Sequence, residues 1–356
     1  MRETLARSHG LREVGTFPLL SIGVQCVVFE VPDDRSIEDV IARLRRNPLV
    51  ESVQANQVFG ASCSPTAIPM RPSSMARTRF APTSPIGGRR EGECGSPSWT
   101  RGLTRHTSDL RGRIFKTATF VEGGERTFTG DSHGTAVAGV IAADADNGIG
   151  IFGSRRRRRS SPPRRAGTPP TPPPRPCSSW SLAKALDFVI SDGGARILNL
   201  SLGGPPDALL GRLIGKALDR GAIVVAAVMD HGSPAPGFPA SLEPVIAVVA
   251  SDSRGSVRVP AGLARSGLLA APGVDVLTTA PGATYDFLSG SSLAAAHVSG
   301  IVALLLERNP RLTAAEVRTL LVTTARPMSE AGSAGSRVVL GVVDACAAVA
   351  SLVSIG

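Results

Sequence analysis

From residue 181 to its end, the chain alternates short apolar runs with segments in which apolar residues recur at helical spacing. Three runs rich in Ala, Val, Ile and Leu predict buried strands, at 195–202, 221–228 and 244–250. Four segments predict helices, at 181–190, 206–220, 292–308 and 313–325, the last with Thr313 and Glu316 as a capping box. Strands that alternate with helices indicate an α/β fold: a parallel sheet with helices on both faces.

The first part of the chain has a shorter pattern of its own. The β-branched run at 22–31 predicts a strand, and Ser36 with Asp39 three residues later predicts a helix start of the capping-box type. Residues 49–56, LVESVQAN, alternate in polarity like a half-buried strand. We therefore expect residues 1–60 to form a small α+β domain, separate from a larger domain at 61–356.

Two stretches interrupt the larger domain. Residues 62–104 and 154–176 are rich in Pro, Ser, Arg and Gly and show no apolar periodicity. Taken at face value, such segments are disordered, so we expect both to be disordered or poorly packed and the chain to be poorly stable.

The large positive net charge does not by itself indicate a nucleic-acid partner. The formal charge is +10, but the excess lies in the arginines of the two aberrant stretches, and no aromatic residue interleaves with the Arg and Pro run at 154–176. Nucleic-acid-binding arms are thus a weak interpretation of these runs. No apolar run reaches the roughly 18 residues of a membrane span, and the first residues, MRETLARSHGLREV, do not resemble a signal peptide. Five cysteines match no metal or disulfide pattern. We expect neither a nucleic-acid nor a membrane partner, and no cofactor.

Two motifs carry residues suited to nucleophilic catalysis. GDSHGTAVAGVIAA, at 130–143, places His133 at the start of a helix made of small residues. SGSSLAAAHVSGIVALLLE, at 289–307, places Ser292 at the start of an Ala-rich helix, where backbone N–H groups suit a developing oxyanion. A Ser and a His brought together form a nucleophile and its general base. Each motif alone is more often a helix cap or a core feature, but both in this order around a parallel-sheet pattern favour catalysis.

The two motifs resemble the histidine and serine motifs of the subtilisin-like serine proteases, the subtilase family. The resemblance implies a serine endopeptidase that acts on polypeptides, with His133 as general base and Ser292 as nucleophile. ILNLSLGG, at 197–204, resembles the substrate-binding strand of the family, which implies that Ser201, Leu202 and Gly203 line the cleft. Residues 18–60 resemble the inhibitory propeptide of the family, so the chain's own propeptide would be an intramolecular inhibitor. Calcium and an extracellular or periplasmic location are also family features, although no calcium site is identifiable in the sequence.

Three departures from the family pattern bear on activity. Ser291 and Ala296 replace a Thr and a Pro of the serine motif, which are mild changes. VVAAVMDHG, at 224–232, stands where the family has a strand that ends in Gly-Asn, so Asp230 falls in the place of the Asn that donates to the oxyanion. An ionised carboxylate would repel that oxyanion, whereas a protonated one could donate to it.

The third departure is a missing aspartate. The family has an Asp on a buried strand about nine residues before Asp109, where this chain has Thr100 in the run SPSWTRG. Trp is encoded by TGG and Thr by ACN, so reading one nucleotide earlier across Trp99 and Thr100 spells GAC, which is Asp. The same shift turns 93–102 into a strand of the family type. It also turns the start of 154–176 into a sequence close to the one that the family has at that place. We therefore interpret both stretches as frame-shifted.

The sequence thus predicts a serine-type endopeptidase that is impaired by the absence of the triad aspartate. The alternative is a catalytically dead pseudoprotease that binds peptides in the same cleft. The sequence does not decide substrate preference.

Overall fold

The structure is a computed structural model that describes a large part of the 356-residue chain. The described residues are 2–60, 65–69, 108–111, 113–114, 118, 120, 132–143, 151, 177–229, 237–257, 267–328 and 340–353, with the main chain alone at 65–69, 108 and 340. Most of the stretch 62–104 and all of 154–176 lie outside these residues, and so do Thr100 and Asp230.

The N-terminal unit is a hairpin flanked by two helices. Its elements are α1 (Arg2–His9), β1 (Arg12–Leu19), β2 (Val24–Glu30) and α2 (Ile37–Leu44), followed by the short strand β3 (Val58–Phe59). Strands β1 and β2 pair antiparallel. Leu11, Val40 and Leu44 form a small core within this unit. Ser36 caps α2 by accepting from the backbone N–H of Asp39 at 3.4 Å, which confirms the predicted helix start.

The predicted strand at 49–56 is wrong. Residues 50–56 have no regular structure, because their polar side chains are used elsewhere. Gln54 Oε1 accepts from the backbone N–H of Leu209 at 3.1 Å, and Asn56 Oδ1 accepts from that of Trp180 at 3.1 Å. The alternation that resembled a strand therefore reflects side chains that dock onto two helix starts far away in the sequence.

In the larger part of the molecule, the described residues form a sheet of seven strands. Three strands of this part lie outside the sheet: the two-residue strand β5 (Cys177–Ser178), and β10 (Val276–Ala280) with β11 (Thr284–Leu288), which form a hairpin. The sheet consists of β4 (Pro65–Pro69), β6 (Ala195–Leu200), β7 (Ile223–Ala227), β8 (Ile246–Ser251), β9 (Leu268–Pro272), β12 (Arg326–Pro327) and β13 (Leu340–Val342). Its order is β12-β13-β9-β8-β7-β6-β4, and the five strands from β13 to β6 are parallel.

Helices cover both faces of this sheet, as the sequence predicted. They are α3 (Ser132–Ala142), α4 (Ser179–Asp192), α5 (Ala208–Asp219), α6 (Ser291–Arg308), α7 (Ala314–Thr324) and α8 (Ala345–Val353). Adjacent residues of β6 face opposite sides: Leu198 belongs to the core with α4 and α5, and Ile197 to the core with α3 and α6. Both side chains are at most 1% exposed, which explains why the strands are continuously apolar rather than alternating.

Strand β4 contradicts the expectation that all of 62–104 lacks order. Residues 65–69 pair antiparallel with β6 at the edge of the sheet. A sheet edge presents unpaired N–H and C=O groups, which accept an extended segment whatever its side chains are. The main chain of 65–69 therefore adds a strand to this edge, where apolar patterning gave no reason to expect one.

Candidate active site

His133 is the second residue of α3, and the β10–β11 hairpin fixes this helix. Thr279 Oγ1 donates to the carbonyl of Thr135 at 2.8 Å, and Thr278 Oγ1 donates to that of Ala136 at 2.7 Å. Both threonines are fully buried. They approach the helix at Gly139, where a Cβ would lie 2.8 Å from Thr278 Oγ1 and would collide with Thr279 Oγ1. The small residues of the histidine motif therefore let the hairpin lie directly on the helix backbone.

The imidazole of His133 is half-buried at the start of its helix. Its Nδ1 atom is buried and forms no hydrogen bond within the described part of the structure, although His133 does interact with its surroundings.

Ser292 lies in the first turn of α6, and its side chain is partly exposed. The N-cap of this helix is Gly290, which has no side chain to cap the first-turn N–H groups. The preceding Ser291 is buried, and its Oγ accepts from the backbone N–H of Ala250 in β8 at 3.1 Å. The start of α6 is thus tied to the carboxyl end of the central sheet, and α6 also packs against α3.

A chain of buried hydrogen bonds holds the peptide group of Ser292. Ser299 Oγ donates to Asn199 Oδ1 at 2.9 Å, and Asn199 Nδ2 donates to Ser201 Oγ at 2.8 Å. Ser201 Oγ in turn donates to the carbonyl of Ser292 at 3.0 Å. Ser299, Asn199 and Ser201 are all 0% exposed, so the chain crosses the interior between α6 and the end of β6. It links a predicted cleft residue, Ser201, to the predicted nucleophile.

The chain's own N-terminal segment pairs with the backbone at Gly203, three residues beyond the end of β6. Gly60 forms an antiparallel bridge with Gly203, and the N–H of Gly60 donates to the carbonyl of Gly203 at 3.0 Å. Just before it, β3 pairs antiparallel with β5. Phe59 is fully buried, and a Cβ at Gly204 would lie 2.7 Å from its Cε1. Residues 58–60 therefore lie as an extended peptide along residues 177–178 on one side and 203 on the other.

The comparison with protein families agrees with this architecture. Residues 102–342 match the model of the subtilase family of peptidases. The chain belongs to the subtilase family. It is thereby related to serine endopeptidases of the subtilisin type, as its two motifs predicted. The subtilase match begins two residues beyond Thr100, after the stretch in which the sequence lacks the expected aspartate.

Named subtilases resemble the chain over most of its length. Subtilisin Savinase of Lederbergia lenta is 36% identical over 62% of this chain and 80% of its own length. M-protease of Shouchella clausii (strain KSM-K16) has the same identity over the same share of this chain, which spans 57% of that relative. Thermophilic serine proteinase of Bacillus sp. (strain AK1) is 29% identical over 92% of this chain and 80% of its own length. The last match is longer than residues 61–356 and therefore includes part of the N-terminal unit.

The structure brings some of the predicted subtilase site residues together and leaves others outside the described residues. Ser201 donates to the carbonyl of Ser292, Gly203 pairs with Gly60, and α3, which carries His133, packs against α6. Leu202, which lies between Ser201 and Gly203 in the sequence, is buried. Asp230, the predicted residue at the oxyanion position, lies outside the described residues.

Sequence reasoning missed the residues that support this site. Asn199 and Ser299 are separated by 100 residues, and no local pattern indicates that they meet. Thr278 and Thr279 carry a weak signal, since two adjacent polar residues interrupt an otherwise apolar strand.

Calcium is a feature of the family for which the sequence identified no site. Within the described ranges, no group of three or more His, Cys, Asp or Glu side chains could hold a metal ion. The same residues contain no helix that is both long and apolar enough to cross a bilayer.

Proposed function

We propose that the chain is a serine endopeptidase in which Ser292 is the nucleophile and His133 the general base. The observation that carries the proposal is the start of α6. There, Ser292 stands beside first-turn N–H groups that no N-cap side chain covers, and its carbonyl is held by the cleft residue Ser201. Such N–H groups stabilise the oxyanion that forms when a serine attacks a peptide carbonyl. His133 would take the proton from Ser292 and return it to the leaving amine.

A serine-directed fluorophosphonate tests these roles without requiring turnover. We expect it to label the full chain at Ser292, slowly, and to leave Ser292→Ala unlabelled at that position. Replacement of His133 by Ala should slow the labelling further, because the base that activates the hydroxyl is removed. Equal labelling of the wild type and Ser292→Ala would contradict the assignment of the nucleophile.

We further propose that this chain has little peptidase activity because the triad aspartate is absent. Thr100 stands where the aspartate is expected, and the run around it resembles a frame-shifted strand. Without a carboxylate, the imidazole of His133 loses both its preferred tautomer and the charge that stabilises its protonated form. Asp230 would add to the loss if it is ionised, since the corresponding donor is worth about 10²–10³ in rate in subtilisin.

The N-terminal unit is proposed to act as an inhibitory propeptide. The proposal is supported by segment 58–60, which is extended and pairs with residues 177–178 and 203. Two further sets of contacts hold the unit on α4 and α5. Ser21 donates its N–H to Asp187 Oδ1 at 2.7 Å, and Asp187 is 2% exposed. Gln54 and Asn56 cap the starts of the two helices. The match to the thermophilic proteinase, which extends into this unit, supports the proposal.

Substitution of the docking residues tests the propeptide proposal. Asp187→Asn with Gln54→Ala should loosen the unit and expose the cleft, so that an unrelated protease removes residues 1–60 faster than from the wild type. Ser8→Ala, in α1 away from these contacts, is the matched control. An unchanged cleavage rate in the double variant would count against the docking.

The alternative is a pseudoprotease that binds peptides without cutting them. It is supported by the backbone bridge between Gly60 and Gly203, because an extended peptide held in the cleft would pair in the same way. Polypeptides are the partners in either case. By its family, the protein is proposed to work outside the cytoplasm.

A further inference from the structure

The N-terminal unit contains a cavity of about 660 Å³ between the end of α1 and the end of α2. Ligand sites typically have volumes of about 300–1,000 Å³, so this one is large enough for a small molecule. The cavity is lined by His9 and Gly10 at the end of α1, Asp33 and Arg35 in the loop that precedes α2, and Arg43 and Arg46 at the end of α2. The proposed peptidase chemistry involves none of these residues.

Arg35 connects this loop to the end of α1 and neutralises Asp33. Its Nε donates to both carboxylate oxygens of Asp33, at 2.6 and 2.8 Å. Its Nη1 and Nη2 donate to the carbonyls of His9 and Gly10, at 2.7 and 2.8 Å. Asp33 is the only acid among the described residues that line the cavity, and its charge is balanced by a charge-assisted hydrogen bond. The cavity therefore presents no free carboxylate that would repel an anion.

Arg43 and Arg46 differ from the other arginines of this cavity and its surroundings, because they have no carboxylate partner. Within the described residues, neither of them forms an ion pair. The ion pairs that other arginines of the unit form are Arg2–Glu13, Arg7–Glu3, Arg12–Glu30 and Arg35–Asp33. Side chains three residues apart at a helix end lie on the same face, with Cβ atoms about 5–6 Å apart. Two unneutralised guanidinium groups can therefore reach the same ligand.

The dipole of α2 does not account for both arginines. A cation is favourable in the last turn of a helix, and Arg45 meets this condition as an exposed residue that does not line the cavity. The dipole attracts cations on every side of the helix end. It gives no reason for Arg43 and Arg46 to line one cavity together.

The chemistry of the lining selects the class of ligand. No aliphatic side chain is among the described residues that line the cavity, which makes it unsuited to an apolar ligand. A guanidinium group presents a planar fork of N–H donors that matches the oxygens of phosphate or sulfate. The imidazole of His9 adds a further donor. Two such forks side by side match a ligand with two adjacent anionic groups.

We propose that this cavity binds a phosphate- or sulfate-bearing ligand with two adjacent anionic groups, and that Arg43 and Arg46 hold it. Arg35 keeps the loop and the end of α1 in place around the ligand. The site contains neither Ser292 nor His133, so the proposal is independent of the peptidase function.

Protection of single arginines from phenylglyoxal tests the proposal in the full chain, with pyrophosphate as the probe. Phenylglyoxal reacts with accessible guanidinium groups, and Arg43, Arg45 and Arg46 are all exposed. Mass spectrometry measures the rate at each arginine, so binding to the Arg-rich stretches elsewhere does not obscure the result. At about ten times its dissociation constant, pyrophosphate should slow modification of Arg43 and Arg46 about tenfold. Arg45 should react at an unchanged rate.

Two controls separate a site from a general attraction of anions. Sodium chloride at the same ionic strength screens the arginines without bridging them and should protect none of the three. Inorganic phosphate has a single anionic group and should protect Arg43 and Arg46 only at higher concentrations. Equal potency of phosphate and pyrophosphate would contradict the second anionic group of the ligand.

A pair of matched variants tests the cooperation of the two arginines. Arg46→Gln should raise the pyrophosphate concentration that protects Arg43 by about tenfold, because charge-assisted hydrogen bonds are lost. Arg45→Gln removes the same charge outside the cavity and should leave the protection of Arg43 unchanged. Both substitutions concern exposed side chains, so the fold is retained. Equal protection of all three arginines, protection of none, or equal effects of the two variants would each overturn the proposal.

Discussion

Helix α6 is held at Ser292 from within the sheet, whereas α3 is held along its side by the β10–β11 hairpin. In α6 the bond to the Ser292 carbonyl comes from Ser201, at the end of a chain that begins at Ser299. In α3 two threonine hydroxyls reach helix carbonyls beside Gly139. Both arrangements use buried hydroxyls that donate to the backbone, and none of these bonds involves the strand that should carry the aspartate. The two helices are thus held by different elements, but in both cases the bonds that fix the backbone are independent of the missing aspartate.

This comparison separates two ways in which the protein could fail as an enzyme. If the missing aspartate also disordered the scaffold, neither helix would keep its place. The described residues instead retain both helices with their buried anchors. We infer that any loss of activity arises from the missing carboxylate, and that repair of the two frame-shifted stretches, which restores the aspartate strand, should reverse it.

The largest effect is expected from repair of the two aberrant stretches. Residues 93–102 and 154–176 are replaced by the sequences read in the shifted frame, and casein hydrolysis is compared with that of the unrepaired chain. Loss of the triad aspartate alone costs about 3 × 10⁴ in kcat in subtilisin, so we expect a gain of at least that order. Ser292→Ala in the repaired chain should abolish the activity. Equal rates before and after repair would mean that another residue supplies the role of the aspartate.

A smaller effect is expected where the hairpin lies on α3. Gly139→Ala places a methyl group against the hydroxyls of Thr278 and Thr279, which must move and lose their bonds to the helix. We expect a loss of about 3 kcal/mol in the free energy of unfolding, the upper part of the usual range for overpacking. Urea denaturation measures it.

A glycine in another helix provides the control for this substitution. Gly215 lies in α5, and a Cβ added there would have no neighbouring atom within 4 Å. Gly215→Ala should stabilise the protein by about 0.5–1 kcal/mol, because alanine is the better helix former. The same sign for both variants would show that the contact between hairpin and helix has little effect on stability.

Much of the fold was predictable because its signals are local. Buried parallel strands appear as short apolar runs, and β6, β7 and β8 coincide with the predicted 195–202, 221–228 and 244–250 to within two residues at either end. The predicted capping box forms at the start of α7: the Thr313 side chain accepts from the backbone N–H of Glu316, and the Glu316 side chain accepts from that of Thr313. His133 and Ser292 could be named for the same reason, since each lies in a continuous motif.

The rest depended on contacts between distant parts of the chain. The segment 49–56 alternates in polarity because Gln54 and Asn56 reach the starts of α5 and α4, which follow more than 120 residues later. The N-terminal elements α1 and β1 were not predicted from the sequence either. No pattern within one segment shows that Asn199 will bond to Ser299.

Removal of a buried hydroxyl from α6 should reduce the free energy of unfolding by less than Gly139→Ala does. Ser299→Ala deletes the donor to Asn199 Oδ1, which is then buried with one partner fewer. A buried polar atom left in this way costs about 1–3 kcal/mol, and we expect about 2 kcal/mol from urea denaturation. The control is Ser351→Ala, whose hydroxyl donates within its own helix α8. A loss no greater than that of the control would show that the chain to Ser292 does not stabilise α6.

The smallest effect concerns His297, which lies in the middle of α6 and takes no part in the proposed catalysis. Burial of the ring lowers the pKa of His297 below its usual 6.5, and hydrogen bonding of Nδ1 with the carbonyl of Leu293 at 3.0 Å only partly opposes this. Below pH 6.5 the unfolded chain therefore binds a proton that the folded chain does not, so stability should fall as the pH drops from 6.5 towards the lowered pKa. The slope from this single group is at most about 1.4 kcal/mol per pH unit. His297→Gln, which keeps a donor for the Leu293 carbonyl, should flatten the profile of unfolding free energy below about pH 6.5. If the unfolding free energy depends on pH equally in the variant and the wild type, groups other than His297 cause the loss of stability in acid.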